Sequence, residues 1–201
     1  MNLKNTRTMR ESVFSYFNAP ITNQRPSGVV NIGQLHAYIT ANEWLREQTR
    51  QVRAAKDDPK RFAALKRSRL PYVTPAGVFD YRKEERLRQP SGLLVIDIDH
   101  LASAEEAAHW RDTLFDDGWL RPDLAFVSPS ETGVKLLLPY RLPPRKTVEG
   151  AFDEALNAAW DYLRWRHGLK PDTAGADLAR ACFLCHDPGA KATGASRESD
   201  K

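Results

Sequence analysis

The segment Leu93-Leu94-Val95-Ile96-Asp97 is a continuous apolar run closed by a carboxylate, and the pattern that follows it leaves few folds open. The run itself reads as a strand. Residues 103–117 read as a helix, with Ser103 at its N-cap and Glu106 in the capping-box position. Two further strands follow, 123–128 (DLAFVS) and 134–140 (VKLLLPY), joined by the turn-like Pro129-Ser130-Glu131-Thr132-Gly133. A second helix covers 147–166 and places Phe152, Leu156, Ala159 and Leu163 on one stripe; residues 180–185 supply a fourth strand. The order β-α-β-β-α-β predicts an α+β fold of the ferredoxin-like, split βαβ kind, with both helices on one sheet face and the other face free for ligands. Right-handed crossovers allow few other topologies for that order.

The residues before this core are less regular. A short apolar run, Ser12 to Phe17, precedes a turn-rich stretch over 18–28. A helical pattern then extends from about Ile32 to Ala55, and a shorter one covers 59–69 with Phe62, Leu65 and Lys66 at helical spacing. Pro71, Pro75 and Gly77 break the chain after it. The expected organisation is a mixed helical annex over 1–88 packed on the core, a core over 89–188, and a small polar tail or linker start over 189–201. With 201 residues, 41% of them hydrophobic, the chain can bury a core of its own.

No segment approaches the ~20 apolar residues of a membrane span and the N-terminus lacks a signal-peptide run, so the expectation is a cytoplasmic protein with no membrane partner. The net charge of +4 suits a polyanionic partner, and many of the cations fall between Arg46 and Arg88, where a solvated helix face explains them equally well.

The two cysteines, Cys182 and Cys185, precede His186 in a literal C-x-x-C-H haem-attachment pattern. A reducing compartment and the lack of a convincing methionine ligand argue against haem. The remaining histidines form no second knuckle for zinc, and no helix pattern follows the pair as a redox dithiol requires. Neither haem nor zinc is expected: the cysteines read as small apolar residues of a strand, pointing to opposite faces by alternation.

Chemistry concentrates at the end of the first core strand. Asp97 and Asp99 are two residues apart, so in a strand they point the same way with β-carbons ~6 to 7 Å apart. Two carboxylates that close repel unless a cation lies between them, and oxygen ligands suit Mg²⁺ or Mn²⁺; the alternative is a solvated strand end. The Ser128–Lys135 stretch either turns for conformational reasons or aims backbone N–H groups and Lys135 at phosphate. Asp172, Asp177 and Arg180 lie ahead of the fourth strand, and His186, Asp187 and Lys191 beyond it.

Together these pieces resemble the archaeo-eukaryotic primase (primase-polymerase) superfamily, whose RRM-like palm carries three motifs. Asp97-Ile98-Asp99 looks like the first, Ser130 to Lys135 like the second, and Asp172 with Arg180 like the third. The likeness is closer to the VirE N-terminal-like (BT4734-like) domain of mobile-element and phage primases. It is carried by "LKRSRLPYVTPAGVFDYR", "SGLLVIDIDHL", "AFVSPSETGVKLLLPYRLP" and "DLARACFLCHDP". The chain departs from the superfamily pattern in having Lys135 where the second motif has histidine, and Glu131 where that turn often has glycine.

The resemblance implies a DNA-dependent nucleotidyltransferase that joins nucleoside triphosphates (NTP or dNTP) on a single-stranded DNA template. Asp97, Asp99 and Asp172 would hold two Mg²⁺ or Mn²⁺ ions, and Ser130, Lys135, Arg180, His186 and Lys191 would bind the nucleotide. A helicase domain or subunit is an implied partner, in replication of a mobile element, plasmid or phage. The rival readings are a metal-dependent nuclease or phosphotransferase on the same carboxylates, and a non-catalytic module that binds single-stranded nucleic acid.

Overall fold

A computed structural model describes residues 12–194. The chain opens with two antiparallel strands, β1 (Val13–Phe17) and β2 (Gly28–Asn31). Asn31 then caps α1 (Ile32–Ala41): its side chain accepts from the Gln34 N–H while the Gln34 side chain accepts from the Asn31 N–H. The single helix expected over 32–55 is instead two. Asn42 takes an extended conformation and its side chain accepts from the Leu45 N–H, so it stops α1 and starts α2 (Glu43–Arg53). Asp58 caps α3 (Pro59–Arg69), with proline in the first turn, where its missing N–H costs nothing. Then come β3 (Tyr72–Thr74) and the hairpin of β4 (Gly77–Phe79) with β5 (Leu87–Pro90).

The core elements fall close to their sequence-derived bounds: β6 (Leu93–Ile98), α4 (Ala104–Phe115), β7 (Leu124–Val127), β8 (Val134–Pro139) and α5 (Val148–His167). Ser103 caps α4 by accepting from the Glu106 N–H, but the Glu106 carboxylate reaches back to the Ala102 N–H rather than to that of Ser103. Gly168 ends α5 in the left-handed region, φ 66°, which a residue without a β-carbon adopts freely. Among the described residues no helix is long and apolar enough to cross a membrane.

The result is an α+β fold, but its fourth core strand departs from the ferredoxin-like order. Strands β6, β8 and β7 lie side by side as expected. Beside β6, where the fourth strand belongs, the described residues give only an isolated bridge between Ile98 and Pro171, with the Asp172 N–H donating to the Asp97 carbonyl at 2.8 Å. Proline lacks the N–H that would extend the ladder.

The 180–185 stretch narrows to β9 (Cys182–Phe183), which pairs with β3 and completes a first sheet of order β2-β1-β3-β9. A last short strand, β10 (Lys191–Ala192), pairs with β7 at the far edge, giving β10-β7-β8-β6. Asp187, between them, anchors the returning chain: its carboxylate accepts from Val127 N–H (2.8 Å), Gly189 N–H (3.0 Å) and Arg111 (3.1 Å).

The core sheet is covered on both faces, not one. Leu94, Ile96 and Ile98 of β6, with Val134, Leu136 and Leu138 of β8, pack on Ala107 and Leu114 of α4 and Phe152, Leu156 and Leu163 of α5. The alternate residues Leu93, Val95, Leu124, Phe126 and Leu137 pack on Phe14, Leu35, Ile39, Leu45, Val52 and Val73 of the N-terminal part. The N-terminal residues therefore share one core with the second face of the sheet.

Candidate functional site: an acidic and basic cleft between the two sheets

Alternation along β6 puts Leu93, Val95 and Asp97 on the second face, and along β8 it puts Leu137 and Lys135 there. Asp97 and Lys135 are directly opposite in the antiparallel register, so the apolar layer ends in a charged pair. The Lys135 ammonium donates to Asp97 Oδ2, and both side chains are about nine-tenths buried. Burial opposes the charge on Lys135, but the Asp97 carboxylate and the hydrogen bond to it outweigh that effect, and the lysine pKa is raised.

Arg180 approaches from the returning chain, its Nη2 at 2.9 Å from Asp172 Oδ2 and 3.6 Å from Asp97 Oδ2, while its Nη1 donates to the Ala174 carbonyl at 3.0 Å. Asp172 Oδ1 accepts from the Ala174 N–H at 3.0 Å. Thus Asp172 reaches Asp97 through one backbone hydrogen bond and a shared arginine.

Asp99 follows the strand end and lines the same cleft. Burial raises its carboxyl pKa, and the negative charges of Asp97 and Asp172 add to the rise, partly offset by Lys135. Gly133 closes over it. A β-carbon at position 133 would lie 2.6 Å from the Ile98 carbonyl oxygen, 2.7 Å from Asp99 Oδ1 and 2.8 Å from Ser128 Oγ. Since the nearest of these is backbone, Gly133→Ala should cost about 1–3 kcal/mol and displace the Asp99 carboxylate; a thermal melt reads the first, and a crystal structure of the variant the second.

Ser128, Pro129 and Ser130 form another side of the cleft, with Ser128 and Ser130 hydroxyls 2.9 Å apart. Arg53 of α2 holds this turn from behind: it donates to the Ser128 and Pro129 carbonyls, each at 3.4 Å, and pairs with Glu131 at 3.5 Å. The acidic Glu131, whose φ is 67°, is thereby turned to Arg53 and Lys56.

The cleft measures about 420 Å³, in the range of small-molecule sites. It gathers Asp97, Asp99, Asp172, Ser130, Lys135 and Arg180. It does not gather the other two expected residues. His186 faces a separate hollow beside Arg46, Arg50 and Arg53, its backbone N–H tied to Thr49. Lys191 lies on the edge strand β10, 3.6 Å from Asp112 and 3.9 Å from Asp116. Both follow the expected fourth strand, which pairs with β3 and not with β6, and the chain turns away after Phe183.

The same turn corrects the reading of the cysteines. Cys182 and Cys185 are both buried in the core between the sheets, because alternation stops after β9. Burial pushes the thiol of Cys182 up to about 11 and that of Cys185 to about 12, and Cys185 donates to the Val127 carbonyl at 3.1 Å. They are packed thiols.

Sequence reasoning missed the opposite wall. Phe62, Lys66 and Arg67 of α3, and Phe183 of β9, line the cleft across from the carboxylates. The signal was present in the spacing of Phe62 and Lys66, which four residues apart share a helix face.

Among the described residues no group of three or more histidine, cysteine, aspartate or glutamate side chains is drawn together as a metal site would be. The cations Lys135 and Arg180 stand among the carboxylates instead. One observation nevertheless fits a divalent cation: Asp97 Oδ1 is buried and accepts no hydrogen bond, beside an Asp99 whose ionised form is disfavoured.

The fold and the cleft define a class: an α+β domain with a polar, charge-balanced site where a strand end meets a helical wall. The chain belongs to the family described as the BT4734-like, N-terminal domain, whose model matches residues 65–190, more than half of its length and every cleft residue named above except Phe62. No curated protein and no solved structure matches it.

Proposed function

We propose that the cleft is the active site of a nucleotidyltransferase of the primase-polymerase kind, extending or starting a chain of nucleotides on a single-stranded DNA template. The observation that carries this reading is the meeting of Asp97, Asp99 and Asp172 with Lys135 and Arg180 in one cleft. Three carboxylates and two cations are complementary to a triphosphate that arrives with Mg²⁺ or Mn²⁺. The carboxylates take the metal, and the cations, released from them, take phosphate oxygens.

Bound there, divalent ions supply charge neutralisation for the attacking hydroxyl and the departing pyrophosphate. Asp97 and Asp99 would hold one ion, using the unpaired Asp97 Oδ1, and Asp172 would join a second. The work of the chain's own residues is positional. Arg180 joins Asp172 to Asp97, so movement of one is felt by the other. Lys135, buried and charged, places a cation at a fixed point of the floor. Ser130 stands at the mouth as a hydroxyl donor to phosphate. The bond formed joins the hydroxyl oxygen to the α-phosphorus, and the bond broken releases pyrophosphate.

The test is to incubate the chain with labelled single-stranded DNA and Mn²⁺, with and without nucleoside triphosphates. Products lengthened only when nucleotides are present support the proposal. Cleavage without nucleotides would assign the carboxylates to a nuclease, and binding of DNA with neither product would make the chain a recognition module.

A further inference from the structure

The wall facing the carboxylates is of different chemistry from the floor. Phe183 and Phe62 are both only partly buried, and both line the cleft. Between them lies the Lys66 ammonium, 5.5 Å from the Phe183 ring centre and 5.8 Å from that of Phe62. Phe183 is fixed from the core side: fully buried Tyr72 packs against it at 6.0 Å, tilted by 58°, and Tyr72 is itself stacked on Phe17 at 4.5 Å. Ala181, beside it on the cleft lining, is small and leaves room over that part of the wall.

A partly exposed aromatic pair is an unusual lining for a cleft whose floor is charged. Its π faces offer what phosphate-binding groups cannot, a flat apolar contact for a heteroaromatic ring. The Lys66 ammonium, beside both rings, is also within the field of Lys135, Asp99 and Asp97, so a polyphosphate on the floor would draw it off the rings.

We infer that Phe183, with Phe62 beside it, is a nucleobase-stacking subsite, and that the cleft takes a nucleoside triphosphate with its phosphates at Lys135 and Arg180 and its base on the aromatic wall. The inference rests on the reading of the cleft as a nucleotide site. It adds that affinity comes from the base as well as from the phosphates, with little discrimination among bases, since every base has a π face.

Calorimetric titration of the full chain in Mg²⁺ with dATP, and separately with inorganic tripolyphosphate, separates the two contributions. The wild type should bind dATP on the order of tenfold more tightly than tripolyphosphate. Phe183→Leu, which keeps apolar packing on Tyr72 but removes the π face, should lose that advantage while binding tripolyphosphate as before. Phe183→Tyr should keep it. Unchanged tripolyphosphate binding certifies that the leucine variant is folded. If Phe183→Leu binds dATP as tightly as the wild type, or the wild type binds both ligands equally, the stacking subsite is overturned and the phosphate site stands. If the wild type binds neither ligand, the nucleotide reading of the cleft falls with it.

Discussion

Asp99→Asn is expected to abolish nucleotide transfer, by on the order of a thousandfold, without lowering the melting temperature. The two halves of that result have one cause. Asp99 is disfavoured as an anion in the fold by burial and by Asp97, so its ionised form weakens the folded state. A carboxyl pKa raised in the fold means stability declines as pH rises from the ordinary carboxylate range through the raised value, and stays reduced at neutral pH. Asparagine has nearly the same shape and no charge, so it removes the penalty together with the carboxylate proposed to hold a metal ion. A residue whose ionisation costs stability is the signature of a site kept for function. Activity on a single-stranded template and a thermal melt at neutral pH read the two halves. A large fall in melting temperature would mean that Asp99 is structural.

Lys135→Met should do the reverse, striking stability first. The substitution leaves Asp97 buried opposite an apolar residue, with Arg180 at 3.6 Å as the remaining cation. Breaking one half of a buried pair costs about 3–5 kcal/mol, and a domain of this size loses about 2–4 °C per kcal/mol. The partial cover from Arg180 puts the expected loss near the lower figure. Because the lysine pKa is raised in the fold, the lysine's contribution is fully present below its ordinary value of 10.5 and is lost as the solution becomes more alkaline. The double variant Asp97→Leu with Lys135→Met should recover most of the loss, since it leaves no lone charge behind. Additive losses in that cycle would contradict a direct pairing.

How far the sequence carried the structure depended on periodicity. Strands β6, β7 and β8 and helices α4 and α5 are long enough to repeat their pattern, and their stripes match the observed packing. The two-residue strands β9 and β10 have no period to detect, and β9's partner, β3, lies far back in the chain. That blindness is why the fourth strand of the expected core is found in the other sheet, beside β3.

The site itself was legible where chemistry and register coincide. Asp97 and Asp99 share a strand end and are read from it; that Lys135 falls opposite Asp97 and that a bridge at Pro171 carries Asp172 in are visible only in the assembled sheet. The aromatic wall was not legible. Phe62 and Lys66 belong to a helix whose many cations read as solvated, and nothing local to Phe183 shows which sheet it joins. The second cover of the core sheet was hidden for a related reason: β1 and β3 contribute only a few side chains each, and only the assembled core shows that they are continuous with Val95 and Phe126.

Anomalous diffraction from a crystal of the chain soaked with Mn²⁺ and a non-hydrolysable nucleoside triphosphate bears most directly on the cleft as a metal-and-nucleotide site. Manganese density against Asp97 and Asp99, with phosphate oxygens on Lys135 and Arg180, is the result expected. Manganese bound away from these carboxylates, or a nucleotide seated elsewhere with both ion pairs intact, would contradict the account.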